Sequence, residues 1–444
     1  MTAGLPAQRR SNAQGRDAPP SRAHGVSLVE IMVALAVGAI VLLGLAEILS
    51  NTSATYTREE DFARLQENGR IAASLLTEAI RPSRSTACKS LWLHEKQGTL
   101  TVKACDLQAG TCGVGNRSHY LEVDRPLGFD QSQGLDDKSN YDLPPGVAEA
   151  IAKHWVLGDV VVAWGINPDG IALNGKLGGE GDLNRINLTA DPSNLFSVGD
   201  LALVSNCEYA HLFEITGLDA DGKYVQHNAA TISGDSANAT DDLKASALYG
   251  GSALYNRDNS APRAELYSLV YKVFYLCCVH DGELQNARGE VSKCRPTNSA
   301  NPPADYRPAL CVFDLQRGTN GQSQVLVPDI ADMRVTYSVD SNGDGALDYR
   351  AEDTTGAIKT AKWVTDEGYW AGVRSASVEL LLTTELEHGS ATAARPARSD
   401  WPPNHGSGLD PDTLGYAYQA DNRLYQRIRF EVALRPSTFW TVTK

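Results

Sequence analysis

The sequence predicts an α+β fold, in which a long N-terminal helix, membrane-spanning in its first half, packs on a β-rich globular head with long loop insertions. Three observations lead to this prediction. Residues 26–49 form an apolar run that is long enough to cross a bilayer. Apolar residues at helical spacing continue from there to Pro82. Beyond Pro82, short segments rich in β-branched and aromatic residues alternate with turns rich in Gly, Asn, Asp and Pro.

The composition is that of a globular chain without the charge needed to bind nucleic acid. Of the 444 residues, 42% are hydrophobic and 21% are charged, which is typical of globular domains and not of disordered chains. The formal net charge is −14, whereas a protein that binds a phosphate backbone needs clustered positive charge. We therefore expect no nucleic-acid partner.

The first 25 residues form a basic leader that precedes the apolar run. Its single acidic residue, Asp17, is outweighed by four arginines, Arg9, Arg10, Arg16 and Arg22. Because positive charge stays on the cytoplasmic side, we expect the N-terminus in the cytoplasm and the bulk of the chain outside. A secretory signal would place its small-residue cleavage site after the apolar core, whereas Gly25 lies before it.

Glu30 places a carboxylate inside the apolar run. A charge in hydrocarbon costs about 3 kcal/mol, so we expect this carboxylate to have a partner and a function. The alternative is that Glu30 lies at the level of the lipid headgroups, near the start of the helix, and reaches water there.

The residues from Gly25 to Glu30, followed by an apolar helix, resemble the class III signal of type IV prepilins and pseudopilins. The resemblance implies that a prepilin peptidase cuts between Gly25 and Val26 and that Val26 is then methylated. It also implies that the apolar segment is kept as an inner-membrane anchor and later as filament core, with Glu30 paired to the N-terminal amine of a neighbouring subunit. Two departures from the family are Val26, where most members carry Phe or Met, and Glu47, in a region where many major pilins have a proline.

The helix is expected to continue beyond the membrane segment. Residues 51–81 contain no proline and one glycine, Gly69. Apolar residues at helical spacing predict a stripe that packs on the head: Phe62, Leu65, Ala72, Leu76 and Ala79. Pro82 ends the helix. We therefore divide the chain into a leader (1–25), an apolar half-helix (26–49), an amphipathic half-helix (50–85) and a periplasmic head (86–444).

Seven segments of the head are predicted strands: 159–164, 200–204, 212–215, 266–275, 333–337, 373–382 and 425–434. Four long polar segments separate them and are interpreted as loop insertions: 165–187, 234–262, 282–308 and 387–411.

Several head segments resemble the PilW family of minor pilins by their order along the chain, namely 199–216, 325–348, 370–382 and 427–430. The resemblance implies a low-abundance pilin that primes filament assembly at or near the pilus tip. Its implied partners are other minor pilins, the major pilin and a large tip adhesin.

Oxygen-bearing side chains at alternate positions predict a cation site around a glycine-bearing turn. The candidate calcium ligands are Asp340, Asn342, Asp344, the backbone carbonyl of Ala346, and Asp348. The pattern departs from an EF-hand at its twelfth position, Ala351, where a bidentate Glu is needed. The alternative is an ordinary turn, in which Asp and Asn bond their own backbone.

All eight cysteines follow the apolar run, on the exported side where disulfides form, and no Cys-x-x-Cys pair suggests a zinc site. The candidates for disulfides are Cys88, Cys105, Cys112, Cys207, Cys277, Cys278, Cys294 and Cys311. Cys277 and Cys278 would point to opposite faces of a strand, so each is expected to bond a distant partner. The connectivity stays open, with Cys105–Cys112 the simplest local pair.

Catalytic motifs are not found: the sequence has no Gly-x-Ser-x-Gly, no His-Glu-x-x-His and no phosphate-binding loop. We therefore expect no enzyme, and three interpretations stay open. They are a minor pilin, a type II secretion pseudopilin of the J kind, and an adhesive or ligand-binding head displayed on a pilin stem.

Overall fold

The computed structural model describes residues 27–83, 100–102, 126–130, 143, 147–167, 169–174, 185–205, 210–228, 231–232, 235–236, 264–294, 305–314, 322–351, 358–384 and 425–434. The chain divides into two compact units, Met1–Glu59 and Glu60–Lys444.

The predicted long helix is present and runs from Leu28 to Ile80. In the first unit its apolar side chains are exposed, with Leu35 and Leu43 about 70% accessible (69% and 71%). In the second unit one face is buried, at Leu65, Gly69, Ala72, Leu76 and Ile80. This spacing of three and four residues is the period of one helix face, so the second part of the helix completes the core of the head.

Phe62 was predicted to belong to the buried stripe, and this is wrong: its side chain is 46% exposed. The first buried residue of the helix is Leu65, one turn further along. Helical spacing identifies the apolar face, but it does not tell where the head begins to cover it.

The largest sheet has ten strands, with bounds β1 Leu100–Val102, β2 Gly128–Phe129, β3 Val160–Ile166, β4 Ile171–Ala172, β6 Leu201–Ser205, β7 Ala210–Glu214, β12 Glu265–His280, β13 Glu283–Leu284, β14 Tyr306–Asp314 and β15 Gln322–Pro328. It is organised around the 16-residue strand β12, which has neighbours along both edges. The strands follow the order β1-β7-β6-β12-β14-β15, and β2, β3, β4 and β13 also join this sheet.

Three smaller sheets complete the strands of the described residues. One has the order β16-β17-β18, another β5-β9-β8, and the third pairs β10 with β11. Their bounds are β5 Arg185–Asn187, β8 Gly217–Asp219, β9 Tyr224–Gln226, β10 Thr231–Ile232, β11 Asp235–Ser236, β16 Ile330–Val339, β17 Val373–Thr383 and β18 Tyr425–Ala433. Short helices lie at Val147–Ala152, Arg288–Val291 and Ala361–Glu367, with 3₁₀ turns at Pro192–Asn194, Ser292–Cys294 and Trp370–Gly372.

All seven predicted strands are confirmed, as β3, β6, β7, β12, β16, β17 and β18. The predicted loops are wrong in part. Segment 165–187 contains the end of β3 together with β4 and β5, and segment 282–308 contains β13, a short helix and the start of β14. Segment 234–262 contains β11, and 387–411 lies outside the described residues. β4, β5, β11 and β13 are only two or three residues long, so the side-chain pattern does not mark them, and the start of β14 is obscured by Pro308.

The described residues form two large apolar cores and one small cluster around Ala331 and Leu381. The larger core joins the helix face with side chains of β3, the later part of β12, β14, β16 and β17. The smaller core lies between the β5-β9-β8 sheet and the strands β6 and β7, and it receives Leu266 from the start of β12. One strand therefore contributes to both cores and ties them together.

A sharp corner carries the chain from β15 into β16. Asp329 occupies it with a positive φ of 66°, a conformation that few non-glycine residues adopt. Its carboxylate accepts a hydrogen bond from Nε of Arg307 at 2.8 Å, and the Arg307 guanidinium makes a second contact with the other oxygen. This two-pronged ion pair from β14 holds the corner between two sheets.

Gly69 lets the last strand approach the helix. A Cβ at this position would lie 1.9 Å from Cδ1 of Ile428 in β18 and 3.3 Å from Cδ2 of Leu382 in β17. The absence of a side chain is therefore what allows the β16-β17-β18 sheet to pack this close to the helix axis.

Replacing Gly69 by Leu should destabilise the head by about 2 kcal/mol, because extra atoms in a packed contact force side chains and backbone apart. Chemical unfolding of the full chain in detergent measures this change. Ser74→Leu, on the exposed face of the same helix, is the matched control. Ile428→Ala should recover part of the loss in the double variant, and equal stability of Gly69→Leu and Ser74→Leu would rule out the close contact.

Candidate functional site

The helix begins with a capping box formed by Ser27 and Glu30. The Glu30 carboxylate accepts a hydrogen bond from the Ser27 N–H at 3.0 Å, and Oγ of Ser27 accepts one from the Val29 N–H at 3.3 Å. Such reciprocal bonds satisfy N–H groups that have no partner at a helix start. Glu30 therefore has a local partner within its own chain, in addition to the neighbouring amine that the resemblance implies. Gly25 and Val26 lie outside the described residues.

The segment from Leu28 to Leu49 is the most exposed apolar surface of the described residues. Its large side chains are between 50% and 74% accessible. Among the described residues, this helix is the one long and apolar enough to cross a membrane. Contiguous apolar surface of this extent marks a membrane or protein contact.

The loop from Asp340 to Asp348 folds around bonds to its own backbone. Asp340 is fully buried and accepts hydrogen bonds from the N–H groups of Gly343 at 2.7 Å and Gly345 at 3.1 Å. Asn342 accepts from the Asp344 N–H, and Asp344 from the Ala346 N–H, both at 2.8 Å. These are the local side-chain bonds that define Asx turns.

The far end of the loop is closed by Asp348. Its carboxylate accepts hydrogen bonds from the N–H and the hydroxyl of Ser341, at 2.8 and 2.7 Å. The side-chain bond from Ser341, helped by the backbone bond, lowers the pKa of Asp348. The two ends of the loop are therefore joined within the chain itself.

Asp340 also forms an ion pair with Arg374 of β17, with Nη2 to Oδ2 at 2.6 Å. Burial acts to raise the pKa of Asp340, but the Arg374 guanidinium and the two glycine N–H groups outweigh it, so the pKa lies below its usual value. Gly372 lets the chain pass close to this group, because a Cβ there would lie 2.2 Å from the Asp340 carbonyl oxygen.

The predicted calcium ligands are thus brought together in one loop, where most of their side-chain oxygens already accept hydrogen bonds. No cluster of three His, Cys, Asp or Glu side chains suited to a metal occurs among the described residues. A calcium ion would have to compete with Arg374 for Asp340 and with Ser341 for Asp348. The geometry favours the turn, and calcium binding stays a prediction.

Two disulfides start from adjacent residues of β12. Cys277 is bonded to Cys311 of β14, and Cys278 is bonded to Cys294, at the end of a 3₁₀ turn. Adjacent strand residues point to opposite faces, which is why the two cysteines take different partners, as expected from the sequence. Cys88, Cys105, Cys112 and Cys207 lie outside the described residues.

Sequence reasoning missed two residues of these sites. Arg374 carried no signal, because it lies 34 positions from Asp340 and only the pairing of β16 with β17 brings it there. Ser27 did carry one, since Ser-x-x-Glu before an apolar run is the sequence signature of a capping box.

Comparison with known proteins identifies the N-terminal segment. Residues 20–46 match the family described as the prokaryotic N-terminal methylation motif. No curated protein sequence matches the chain. One similar solved structure is the type IV-like pilin TTHA1219 from Thermus thermophilus, at 16% identity over 38% of this chain and 78% of that chain, with a TM-score of 0.17. A TM-score this low carries no argument about the head.

The methylation motif and the apolar helix that begins within it support a type IV pilin-like protein. The motif implies processing by a prepilin peptidase, membrane anchoring and assembly with pilus components.

Replacing Asp340 by Asn should lower the free energy of unfolding at pH 7 by about 3 kcal/mol, because it leaves Arg374 without its buried partner. A carboxylate whose folded pKa is lowered contributes stability above its unfolded pKa of about 3.9, and this contribution is lost as the pH falls through the folded pKa. The deficit of the variant should therefore shrink below pH 4. Urea unfolding at pH 7 and pH 3 measures it, with exposed Asp366→Asn as the control. An equal deficit at both pH values would contradict the ion-pair assignment.

Replacing Asp344 by Ala tests whether the loop from Asp340 to Asp348 binds calcium. Loss of its bonds to Ala346 and Asn342 should cost about 1 kcal/mol in chelator. If the loop binds calcium, the melting temperature of the wild-type protein rises with added calcium and that of the variant does not. The same deficit in calcium and in chelator would make the loop a turn alone.

Proposed function

We propose that the chain is a minor pilin of a type IV pilus, which primes filament formation at or near the tip with other minor pilins and a tip adhesin. The observation that carries the proposal is the prepilin methylation motif at residues 20–46, which overlaps the exposed apolar helix segment Leu28–Leu49. A segment of this kind is stable in lipid before assembly and among neighbouring helices afterwards.

The size of the head supports a position at the end of a filament. About 360 residues follow the helix, and they contribute several sheets and most of two large apolar cores among the described residues. In a filament held together by side-by-side helices, each head must fit between the heads of its neighbours. A head this bulky is accommodated most easily where no further subunit follows.

The order of the head segments supports the PilW-like interpretation over the alternatives. The resembling segments 199–216, 325–348, 370–382 and 427–430 fall mainly on β6 and β7, on β15 and β16, on β17 and on β18. They therefore include most of the β16-β17-β18 sheet and the β6-β7 pair, whereas β3, β12 and β14 of the largest sheet lie outside them. A J-like pseudopilin or a displayed adhesive head would share the anchor, so both are outcomes of the test.

Deletion of the gene should strongly reduce the number of surface pili without affecting type II secretion, and the wild-type chain should restore piliation.

Gly25→Ala should leave an uncleaved precursor that fails to restore piliation. Glu30→Ala should be cleaved but poorly incorporated, because a neighbouring amine is left unpaired. Electron microscopy, immunoblots of sheared pili and the mass of the mature N-terminus are the measurements.

Each alternative predicts a different result. Normal piliation with loss of secretion in the deletion strain would favour the pseudopilin. Normal assembly with loss of surface attachment would favour an adhesive head. A mature protein that keeps the basic leader while supporting pili would contradict the cleavage site at Gly25.

A further inference from the structure

Glu47 is a second carboxylate within the apolar part of the helix. The helix runs unbroken through it, and the flanking side chains Leu45, Ile48 and Leu49 are at least 50% exposed. Glu47 makes no hydrogen bond or ion pair with the residues that the structure describes. Unlike Glu30, it lies far from the helix start, where every neighbouring N–H is used in the helix itself.

The spacing between Glu30 and Glu47 determines whether both carboxylates can reach the lipid headgroups. The uncharged run from Ile31 to Ala46 has 16 residues, which is about 24 Å of helix. The hydrocarbon core of a bilayer is about 30 Å thick. Glu30 and Glu47 therefore lie just inside opposite edges of the core, where a carboxylate can still reach the headgroups. In the membrane, Glu47 needs no protein partner.

Assembly into a filament takes the Glu47 carboxylate away from the lipid headgroups; this inference rests on the proposed function. The helix then exchanges lipid for the apolar faces of neighbouring helices, and headgroups are no longer within reach. A carboxylate buried there without an opposite charge is strongly destabilising. The Glu47 carboxylate must therefore meet a cation among its new neighbours.

The chain cannot supply this cation from its own helix. No Lys, Arg or His occurs between Glu30 and Arg58, and Arg58 lies 11 residues beyond Glu47, about 16 Å along the axis. Side chains on one helix meet at a separation of three or four residues. The partner must come from another helix.

We propose that Glu47 is an inter-subunit pairing site that binds a Lys or Arg of a neighbouring pilin helix in the filament. A single ion pair in an apolar interface fixes the axial register of two helices, because any shift leaves both charges unpaired. Glu47 thereby determines which neighbour the subunit accepts and at what height along the filament axis.

The test compares Glu47→Gln and Glu47→Leu with the wild type in the deletion strain. Glu59→Gln, which removes a carboxylate from the polar part of the same helix, is the matched control. Peptidase cleavage and membrane recovery should be unchanged in all three variants. Incorporation into sheared pili should fall about tenfold or more for both Glu47 variants and stay normal for Glu59→Gln.

Incorporation of Glu47→Leu at the wild-type level would overturn the proposal, because the carboxylate would then stay at a headgroup or water boundary. Absence of the wild-type chain itself from pili would overturn the proposed function together with this one. Glu47→Lys should be the most defective variant. Suppressors of it should change a basic residue on another pilin's helix to a neutral or acidic one, and suppressors confined to the head would contradict helix pairing.

Discussion

The constraint on which the rest of the structure depends is the exposed apolar surface from Leu28 to Leu49. Burial of apolar surface is worth about 25 cal/mol per Å², so a helix with this much exposed hydrocarbon is not stable in water alone. The head does not depend on this segment for its own stability, since the helix residues that enter its core all lie at or beyond Leu65. The anchor can therefore exchange lipid for protein without unfolding the head.

The sequence predicted those parts of the fold that depend on local periodicity. The helix from Leu28 to Ile80 and strands such as β12 and β17 carry long, regular patterns of apolar residues. β14 was missed because Pro308 lies within it, and proline argues against a strand, whereas β15 begins with three polar residues. Whether Phe62 is buried depends on where the head begins to cover the helix, and periodicity does not show this.

The candidate sites were predictable to the extent that their chemistry is local. Asp340, Asn342, Asp344 and Asp348 do converge in one loop, as their spacing indicated. Their main long-range partner, Arg374, comes from the next strand of the sheet, and nothing in the loop sequence points to it. The disulfides illustrate the same limit: alternation along β12 explains why Cys277 and Cys278 separate, whereas the choice of Cys311 and Cys294 depends on strand register and on a turn.

The two carboxylates of the apolar helix differ in how much they lose when lipid headgroups are removed. Glu30 lies at the helix N-terminus, where the macrodipole is positive and the Ser27 N–H donates to it. A local bond therefore offsets part of its burial cost even without the neighbouring amine that the resemblance implies. Glu47 has neither the dipole nor a free N–H beside it, so its burial cost is offset only by another subunit. Because Glu47 has fewer local interactions than Glu30, its burial depends more strongly on a neighbouring subunit that carries a matching cation. Glu47 is therefore better suited than Glu30 to select that neighbour.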